Sequence, residues 1–447
     1  MIGIGGISMS GIAHILMNFG YNISGSDISD SEILHKLSEA GAKIYIGVNE
    51  NNVIKSNLVV YTAAISNDNP ELLKAQELNI PVIERADFLG ELTKLYKETI
   101  SISGTHGKTT TTSMVSLCFI EAMLDPTIQV GSTLKQLNGN FRIGNSKYFI
   151  IEACEYVESF LKFNSKSEII LNIEADHLDY YKDIEHIKSA FTKFINLLPT
   201  DGLLVINNDD INCVAVSKSA DCKVVTYGIN TPATWVAKNI LFDKNSFGSF
   251  DAYYNDTFFE KIELSVPGIH NVSNALACIA LCNEYSIKKE TIKSGMLKFT
   301  GADRRFEYKG SFNNISIFDD YAHHPTEILA TLNSLKNKEF NKLWIIFQPH
   351  TYTRTKALLN DFAKVFLDCD NILITDIYAA REKNPGDISS KDLVEKIKDL
   401  GKDCIYMSNF NDIVEHITKN AECNDIIVTV GAGTVTEIGP MILKQFS

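Results

Sequence analysis

Residues 99–114 read TISISGTHGKTTTTSM. The run begins as a strand, passes through a loop holding Gly104 and Gly107, and opens a helix on Lys108 and Thr109. Backbone amides of such a loop cradle phosphate oxygens, the lysine lies along the β and γ phosphates, and the threonine hydroxyl coordinates magnesium. The spacing is tighter than in the usual phosphate loop, because the position six before Lys108 is Ile102 instead of glycine. A strand before and a helix after favour an ATP site over a chance G-K-T turn. They also make the surrounding unit α/β.

A second glycine loop stands at the start, MIGIGGISMSG over residues 1–11. Ile12, Ile15, Leu16 and Phe19 follow at the spacing of one helical face, and Gly20 sits where that helix should stop. Gly3 and Gly5 fit a dinucleotide fingerprint, but Ser8 replaces its third glycine. YNISGSD reads as the next strand, and Asp27, 22 positions after Gly5, is placed to accept from ribose hydroxyls. The turn from Gly5 to Ser10 could meet a diphosphate with its amides, or be a tight turn with no ligand. It does not say which nucleotide. The strand over Met1–Ile4 is short, so the natural start is expected upstream.

At 447 residues the chain is too long for one core, so two or three domains are expected. A formal charge of −13, with no basic run, argues against a nucleic acid partner. The nine cysteines are scattered without a CxxC pair. Cys278 and Cys282, on one face of a helix, read as small buried apolar residues, and no zinc site is indicated. No segment reaches membrane-spanning length and no signal-like start is present, so a reducing cytoplasm is the default and no membrane partner is expected.

Strand-like runs alternate with helical segments throughout, as in NLVVYTAAI, KYFIIEACE, EIILNIEAD and NKLWIIFQPH. This implies parallel sheets wound by right-handed crossovers. Joints at ELTKLYKET and LKFTGADRRFE divide the chain into units 1–97, 98–301 and 302–447. Glu155 and His177 both follow apolar strands in the middle unit, so both are expected at the carboxyl edge beside the phosphate loop. Glu155 suits magnesium as a hard oxygen ligand; His177 suits a hydrogen bond to a reacting group or bound water.

Taken in order, GIGGISMSGIA, ISGSD, GTHGKTTTT, EACEY, NIEADHLDYY, GIHNVSNALA, DRRFE, DDYAHHPTEI, FQPHTYTRT and VGAG resemble the Mur ligases, in particular the branch that adds L-alanine. GTHGKTT alone marks only the wider superfamily of ATP-dependent ligases; GIGG with DDYAHHPTE narrows it. The resemblance implies a Rossmann-like N-terminal domain for a UDP-sugar, a P-loop ATPase-like central domain with a mostly parallel sheet, and a Rossmann-like C-terminal domain on the amino-acid side. It implies that L-alanine is joined to the lactyl carboxylate of UDP-N-acetylmuramate through an acyl phosphate, in peptidoglycan precursor synthesis. ATP and Mg2+ are then the cofactors, with Mn2+ an alternative, and the bacterial cytoplasm the setting. Monomer and homodimer both stay open.

Residue by residue, the resemblance gives Gly5, Gly6, Ser8, Ser26 and Asp27 to the UDP part. Gly104, Thr105, His106, Gly107, Lys108, Thr109 and Thr110 go to the ATP phosphates, and Thr109, Glu155 and His177 to the metal. His270, Asn271 and Asn274 match the stretch that meets adenine, though each also reads as an ordinary helix-start polar residue. Arg305 and Asp320 match positions near ATP. Tyr321, His323, His350 and Arg354 match the side that meets alanine and the acyl phosphate, Arg354 through a two-pronged bond to the alanine carboxylate. Catalysis is expected of Lys108, Glu155, His177, Arg305, His323 and Arg354. Adjacent His323 and His324 should splay rather than share an ion. Some members carry arginine at Thr351 and many aspartate at Cys154. Where related ligases use a carbamylated lysine, this chain has Phe191. An NAD oxidoreductase would explain Gly3, Gly5 and Asp27 but leave Lys108, Thr109 and Glu155 idle. A regulatory ATPase, and the ligase that returns recycled peptide to UDP-N-acetylmuramate, are the other rivals.

Overall fold

The computed structural model describes residues 1–178, 180–380 and 382–446. In the first unit two parallel strand pairs, Ser24–Asp27 with Lys43–Ile46 and Val59–Tyr61 with Val82–Glu84, are joined by Ile2. Ile2 bridges Ser26 on one side and Tyr61 on the other, so the first strand is reduced to a single linking residue at the centre of the layer. The helix Ile7–Asn18 follows directly. Gly20 reverses the chain after it at φ 86°, a left-handed conformation that glycine adopts without strain.

Ile12, Ile15 and Leu16 are buried as the helical spacing requires, but Phe19 is 45% exposed. It lies past the last helical turn, where the face it was assigned to no longer continues. The buried face does not close on its own unit alone. Ile12, Ile15 and Leu16 share one apolar cluster with Phe149, Ile151 and Phe163 of the middle unit, and His14 stacks on Phe141 at 4.2 Å.

The middle unit is built on a ten-stranded sheet whose centre is parallel and whose ends are antiparallel. Strand Glu98–Ser103 lies between Ser167–Ile170 and Tyr148–Glu152. In a parallel sheet these three strands release their following loops at one edge, which brings residues 104–108, 172–177 and 153–155 together. Helices cover both faces. Helix Lys108–Glu121 is buried almost all round, so it has no polar stripe, and Ser113 and Ser116 turn their hydroxyls onto the carbonyls of Thr109 and Thr112.

The third unit carries a six-stranded sheet, parallel except for the edge strand Glu307–Phe312. Its central strands Leu343–Phe347 and Ile426–Val430 are buried at every residue, as near-continuous apolar runs between two helical layers should be, with only Thr429 polar and its hydroxyl donated to Asp319. Neither joint is a free linker. Thr93 accepts from Thr99 and Asn164 at the first, and at the second the Ser132 hydroxyl donates to the Asp303 carbonyl at 3.0 Å. Phe191 sits fully buried, edge-on to Phe160. Among the described residues no helix is long and apolar enough to cross a membrane.

One strand residue breaks the apolar pattern. Glu168 is wholly buried, and burial pushes its carboxyl well above the usual carboxylate range, an effect that the Ser165 hydroxyl offsets only in part. The native state therefore keeps a proton that the unfolded chain has lost, and stability falls as pH rises above the unfolded carboxyl's range. Glu168→Met, close in volume and apolar, should raise the denaturation midpoint at pH 8 and do so less at pH 4.5; equilibrium unfolding of both proteins at the two pH values measures this.

Candidate active site

The phosphate loop is held by backbone geometry. Gly104 and Gly107 stand at φ 137° and 86°, and a β-carbon on Gly107 would lie 2.7 Å from Asn274 Oδ1. Asn172 clasps the loop: its Oδ1 accepts from the His106 amide at 2.7 Å, its Nδ2 donates to the His106 carbonyl at 3.0 Å, and its carbonyl accepts from the Thr105 amide. The helix that follows has glycine at its N-cap and no side-chain cap, which leaves the amides of its first turn directed at the loop's mouth. That is the arrangement that attracts phosphate oxygens.

Lys108 turns its ammonium inward. It donates to the carbonyls of Gly104 and Thr105 and to both oxygens of Glu155, at 2.9 and 3.2 Å. Burial pulls the lysine's pKa down, but Glu155, with Cys154 and Glu152 adding to it, more than offsets this, so the ammonium is held charged. His177, in the left-handed region at φ 54°, brings Nε2 to 3.7 Å from Glu155 Oε1 and packs against Tyr156. Burial lowers its pKa, which favours the neutral ring.

Glu152, the last residue of its strand, was not singled out from the sequence. It accepts from the Gly131 amide at 2.6 Å and from the Thr109 hydroxyl, with Lys108 and Arg305 near enough to act on its charge. Desolvation nonetheless raises its pKa. Of the two glutamates, Glu152 lies against the threonine and Glu155 against the lysine. The signal was available, since the apolar run of the strand ends on Glu152 itself and not three residues later.

The third unit meets the loop through buried charges. Glu327 Oε1 lies 3.1 Å from His106 Nδ1, and Thr326 donates to Glu174 at 2.7 Å. Burial would lower the pKa of His106, but Glu327 and Glu174 together push it up to about 9. Arg354 is 9% exposed and donates from both Nε and Nη2 to Asp176 Oδ1, at 3.0 and 2.8 Å. Burial raises the Asp176 carboxyl, yet Arg354, His177 and His323 pull it well below the carboxylate range. Arg354 Nη1 also faces His350 Nδ1 at 3.1 Å. His323 and His324 do splay: the first turns toward the Tyr321 carbonyl and His350, the second caps helix Pro325–Asn333 beside His106.

A cavity of about 190 Å³ opens between these units, lined by His106, Thr110, Asn271, Asn274, Arg305 and Asp320 among others. Asp320 accepts from the Ala322 amide and the Thr331 hydroxyl, and burial raises its pKa to about 6. His270 lines the same space, and Tyr321 lies beneath the guanidinium groups of Arg304 and Arg305.

On the other side, Gly5 donates its amide to Asp27 Oδ2 at 2.9 Å, and Gly6 ends the turn as N-cap of the first helix. Ser8 accepts from Gln129 Nε2 across the joint at 2.9 Å and from Arg85 Nη1 of its own unit at 3.3 Å. Ser26 differs from the expectation: it is 3% exposed and donates to Glu71 at 2.7 Å, beneath the loop rather than at its mouth. A second cavity, about 150 Å³, runs from Ser8 and Arg85 past Gln129 to Glu152 and Cys154. Arg85 has no carboxylate within ion-pair reach among the described residues. Asp176, Glu327, Glu152 and Arg85 are the site residues missed in the sequence. Only Glu152 carried a local signal; Asp176 and Glu327 reach the site through contacts between units, and Arg85 through Ser8, 77 residues away.

A nucleotide-type loop and a phosphate loop facing one groove, with a third unit closed on them by ion pairs, define a ligase-like assembly of three α/β units. Three family models match in sequence order: Mur ligase family, catalytic domain, over residues 1–97; Mur ligase middle domain over 102–282; and Mur ligase, glutamate ligase domain, over 304–433. The chain belongs to the Mur ligase family. It is 53% identical over 445 residues to the UDP-N-acetylmuramate–L-alanine ligase of Acetivibrio thermocellus, covering 99% of this chain and 95% of that one. It is 50% identical over 443 residues to the enzyme of the same name from Clostridium perfringens, covering 99% and 97%. Among solved structures it superposes on the UDP-N-acetylmuramate-alanine ligase MurC of Thermotoga maritima with TM-score 0.85 at 29% identity, covering 100% and 98% of the two chains. A murein peptide ligase from Psychrobacter arcticus gives 0.74 at 25% identity, covering 99% and 97%.

The His106 contact has a pH signature. An unfolded histidine titrates near pH 6.5 and this one near 9, so the native state binds the extra proton between those values. Its contribution is complete below about pH 6.5 and lost as pH rises through about 9. The gap in thermal midpoint between the parent and His106→Gln should be widest near pH 6 and close above pH 9.

Proposed function

We propose that this protein joins L-alanine to the lactyl carboxylate of UDP-N-acetylmuramate, with ATP cleaved to ADP and phosphate. The observation that carries the reading is the shared groove: the cavity under the first glycine loop ends on Glu152, which also takes the Thr109 hydroxyl of the phosphate loop. The names of the relatives at 50–53% identity agree with it.

A carboxylate resists attack by an amine because its charge repels the nucleophile. Transfer of the γ phosphoryl group converts it to an acyl phosphate: a carboxylate oxygen bonds to phosphorus as the bond to ADP breaks. The amine of alanine then attacks the carbonyl carbon, phosphate departs, and the amine's proton is lost. Transfer of this kind depends on alignment and charge neutralisation rather than on a protein nucleophile. First-turn amides from Lys108 to Thr110 and the loop of Gly104, Thr105, His106 and Gly107 hold the phosphates, while Glu155 keeps the Lys108 ammonium charged beside them. Thr109 and Glu152 present hard oxygen donors that fit Mg2+ or Mn2+, with Glu155 and His177 alongside; the ion supplies further charge neutralisation when bound.

His270, Asn271 and Asn274 face the base of the nucleotide, with Arg305 and Asp320 opposite. Gly5, Gly6, Ser8 and Asp27 hold the UDP part, and Ser26 supports the loop through Glu71. Arg85, which has no carboxylate partner among the described residues, orients the lactyl acid in the substrate groove. Tyr321, His323, His350 and Arg354 wall the alanine side, and closure of the third unit keeps water from the acyl phosphate. Substrates of this kind place the reaction in the bacterial cytoplasm.

Phosphate release should require UDP-N-acetylmuramate, L-alanine, ATP and Mg2+ together; activity with a tripeptide and none with alanine would overturn the assignment. Lys108→Ala should lower kcat by at least about 10²-fold while calorimetric binding of UDP-N-acetylmuramate is unchanged. Glu152→Gln should raise the Mg2+ concentration needed for half-maximal rate by about tenfold or more, whereas Glu155→Gln acts on kcat.

A further inference from the structure

Cys118 lies on helix Lys108–Glu121, and Cys278 and Cys282 lie one turn apart on helix Ile269–Glu284, which packs beside it. All three are fully buried. The Cys278 sulfur is 3.9 Å from that of Cys118 and 3.8 Å from that of Cys282, and the three sulfurs lie within 4.8 Å of one another. The sequence showed only the helical pair, since the third sulfur comes from 160 residues away. A third helix, Lys289–Lys298, closes the remaining side: the Ile292 carbonyl is 3.7 Å from Cys118 Sγ, and a β-carbon on Gly295 would stand 2.7 Å from it.

Thiolates bonded at about 2.3 Å to one central atom stand roughly 3.8 Å apart in a tetrahedron and 4.0 Å in a plane. A pyramidal centre with angles of about 100° brings them to about 3.5 Å, so the two pairs at 3.8 and 3.9 Å need close by only a few tenths of an ångström, and the third sulfur lies within 4.8 Å. Among the described residues no fourth histidine, cysteine or carboxylate joins the cluster, so the site offers three donors where a structural zinc uses four. Charge narrows the choice further. Three thiolates leave a net negative charge around a monovalent or divalent ion, which a dry apolar core does not tolerate, whereas a trivalent centre gives a neutral adduct.

We propose that Cys118, Cys278 and Cys282 form a binding site for a trivalent thiophilic metalloid of the arsenic(III) class. Arsenous acid, As(OH)3, exchanges its three As–O bonds for three As–S bonds; each hydroxide leaves as water with one thiol proton, and nothing is oxidised or reduced. The adduct ties together the helix that starts at the phosphate loop and the helix that starts at His270, about 15 Å along the first from Lys108.

The test uses the full chain and arsenite, added to the folded protein and, separately, during refolding from denaturant, so that entry into a closed core does not decide the result. Native mass spectrometry should find one arsenic per chain in the refolded sample. Thiols titrated after arsenite treatment should fall from nine to six, and the thermal midpoint should rise. Cys118→Ala and Cys278→Ala should each lose the three-thiol adduct, with Cys118→Ser and Cys278→Ser as alternatives should either alanine variant fold poorly, and Cys213→Ala should keep it. No arsenic in the refolded chain, a loss of two thiols instead of three, or undiminished binding in the Cys118 and Cys278 variants would overturn the site.

Discussion

A buried ammonium must find its counter-charge nearby, and Lys108 finds it in Glu155. That one pair fixes much else. It requires strands Glu98–Ser103 and Tyr148–Glu152 to be neighbours, so that the loop after one faces the turn after the other. It leaves Glu152, at the end of the preceding strand, against Thr109, and so divides the two glutamates between the cation and the hydroxyl. Asn172, from the strand on the opposite side, clasps the same loop. Three parallel strands thereby converge on four residues of backbone.

The two joints between units are chemically unlike. The first unit sends Ile12, Ile15 and Leu16 into the apolar core of the middle unit, an interface with no polar alternative in water. The third unit meets the middle one through His106 with Glu327, Thr326 with Glu174, and Arg354 with Asp176. Buried ion pairs add little net stability, because desolvation offsets attraction. An interface of that kind resembles a separable contact between domains, whereas the apolar one resembles the interior of a single domain. The first unit is thus fixed to the phosphate loop, and the third is latched to it.

Much of the architecture was legible because it rests on local chemistry. Alternating apolar strands and helical segments gave the parallel sheets, and Gly104, Gly107, Lys108 and Thr109 marked their own loop. The misses share a cause. Phe19 follows the helical period, but its helix ends one residue earlier, and a period carries no stop. Ser26 is next to Asp27 in sequence, yet consecutive strand residues face opposite sides, which sends its hydroxyl down to Glu71. The pairing of Arg354 with Asp176, 178 residues away, likewise leaves no local mark in the sequence.

The sequence by itself determined the order of units, the two glycine loops and the family to which they belong, since these depend on short-range spacing that backbone geometry demands. Only the tertiary structure decided which charges meet. Glu155 on Lys108, Glu152 on Thr109, Glu327 on His106 and three distant cysteines in mutual contact all arise where strands and helices far apart in the chain become neighbours. Pairing of this kind is set by sheet order and helix packing, and neither leaves a mark in the residues adjacent to the partners.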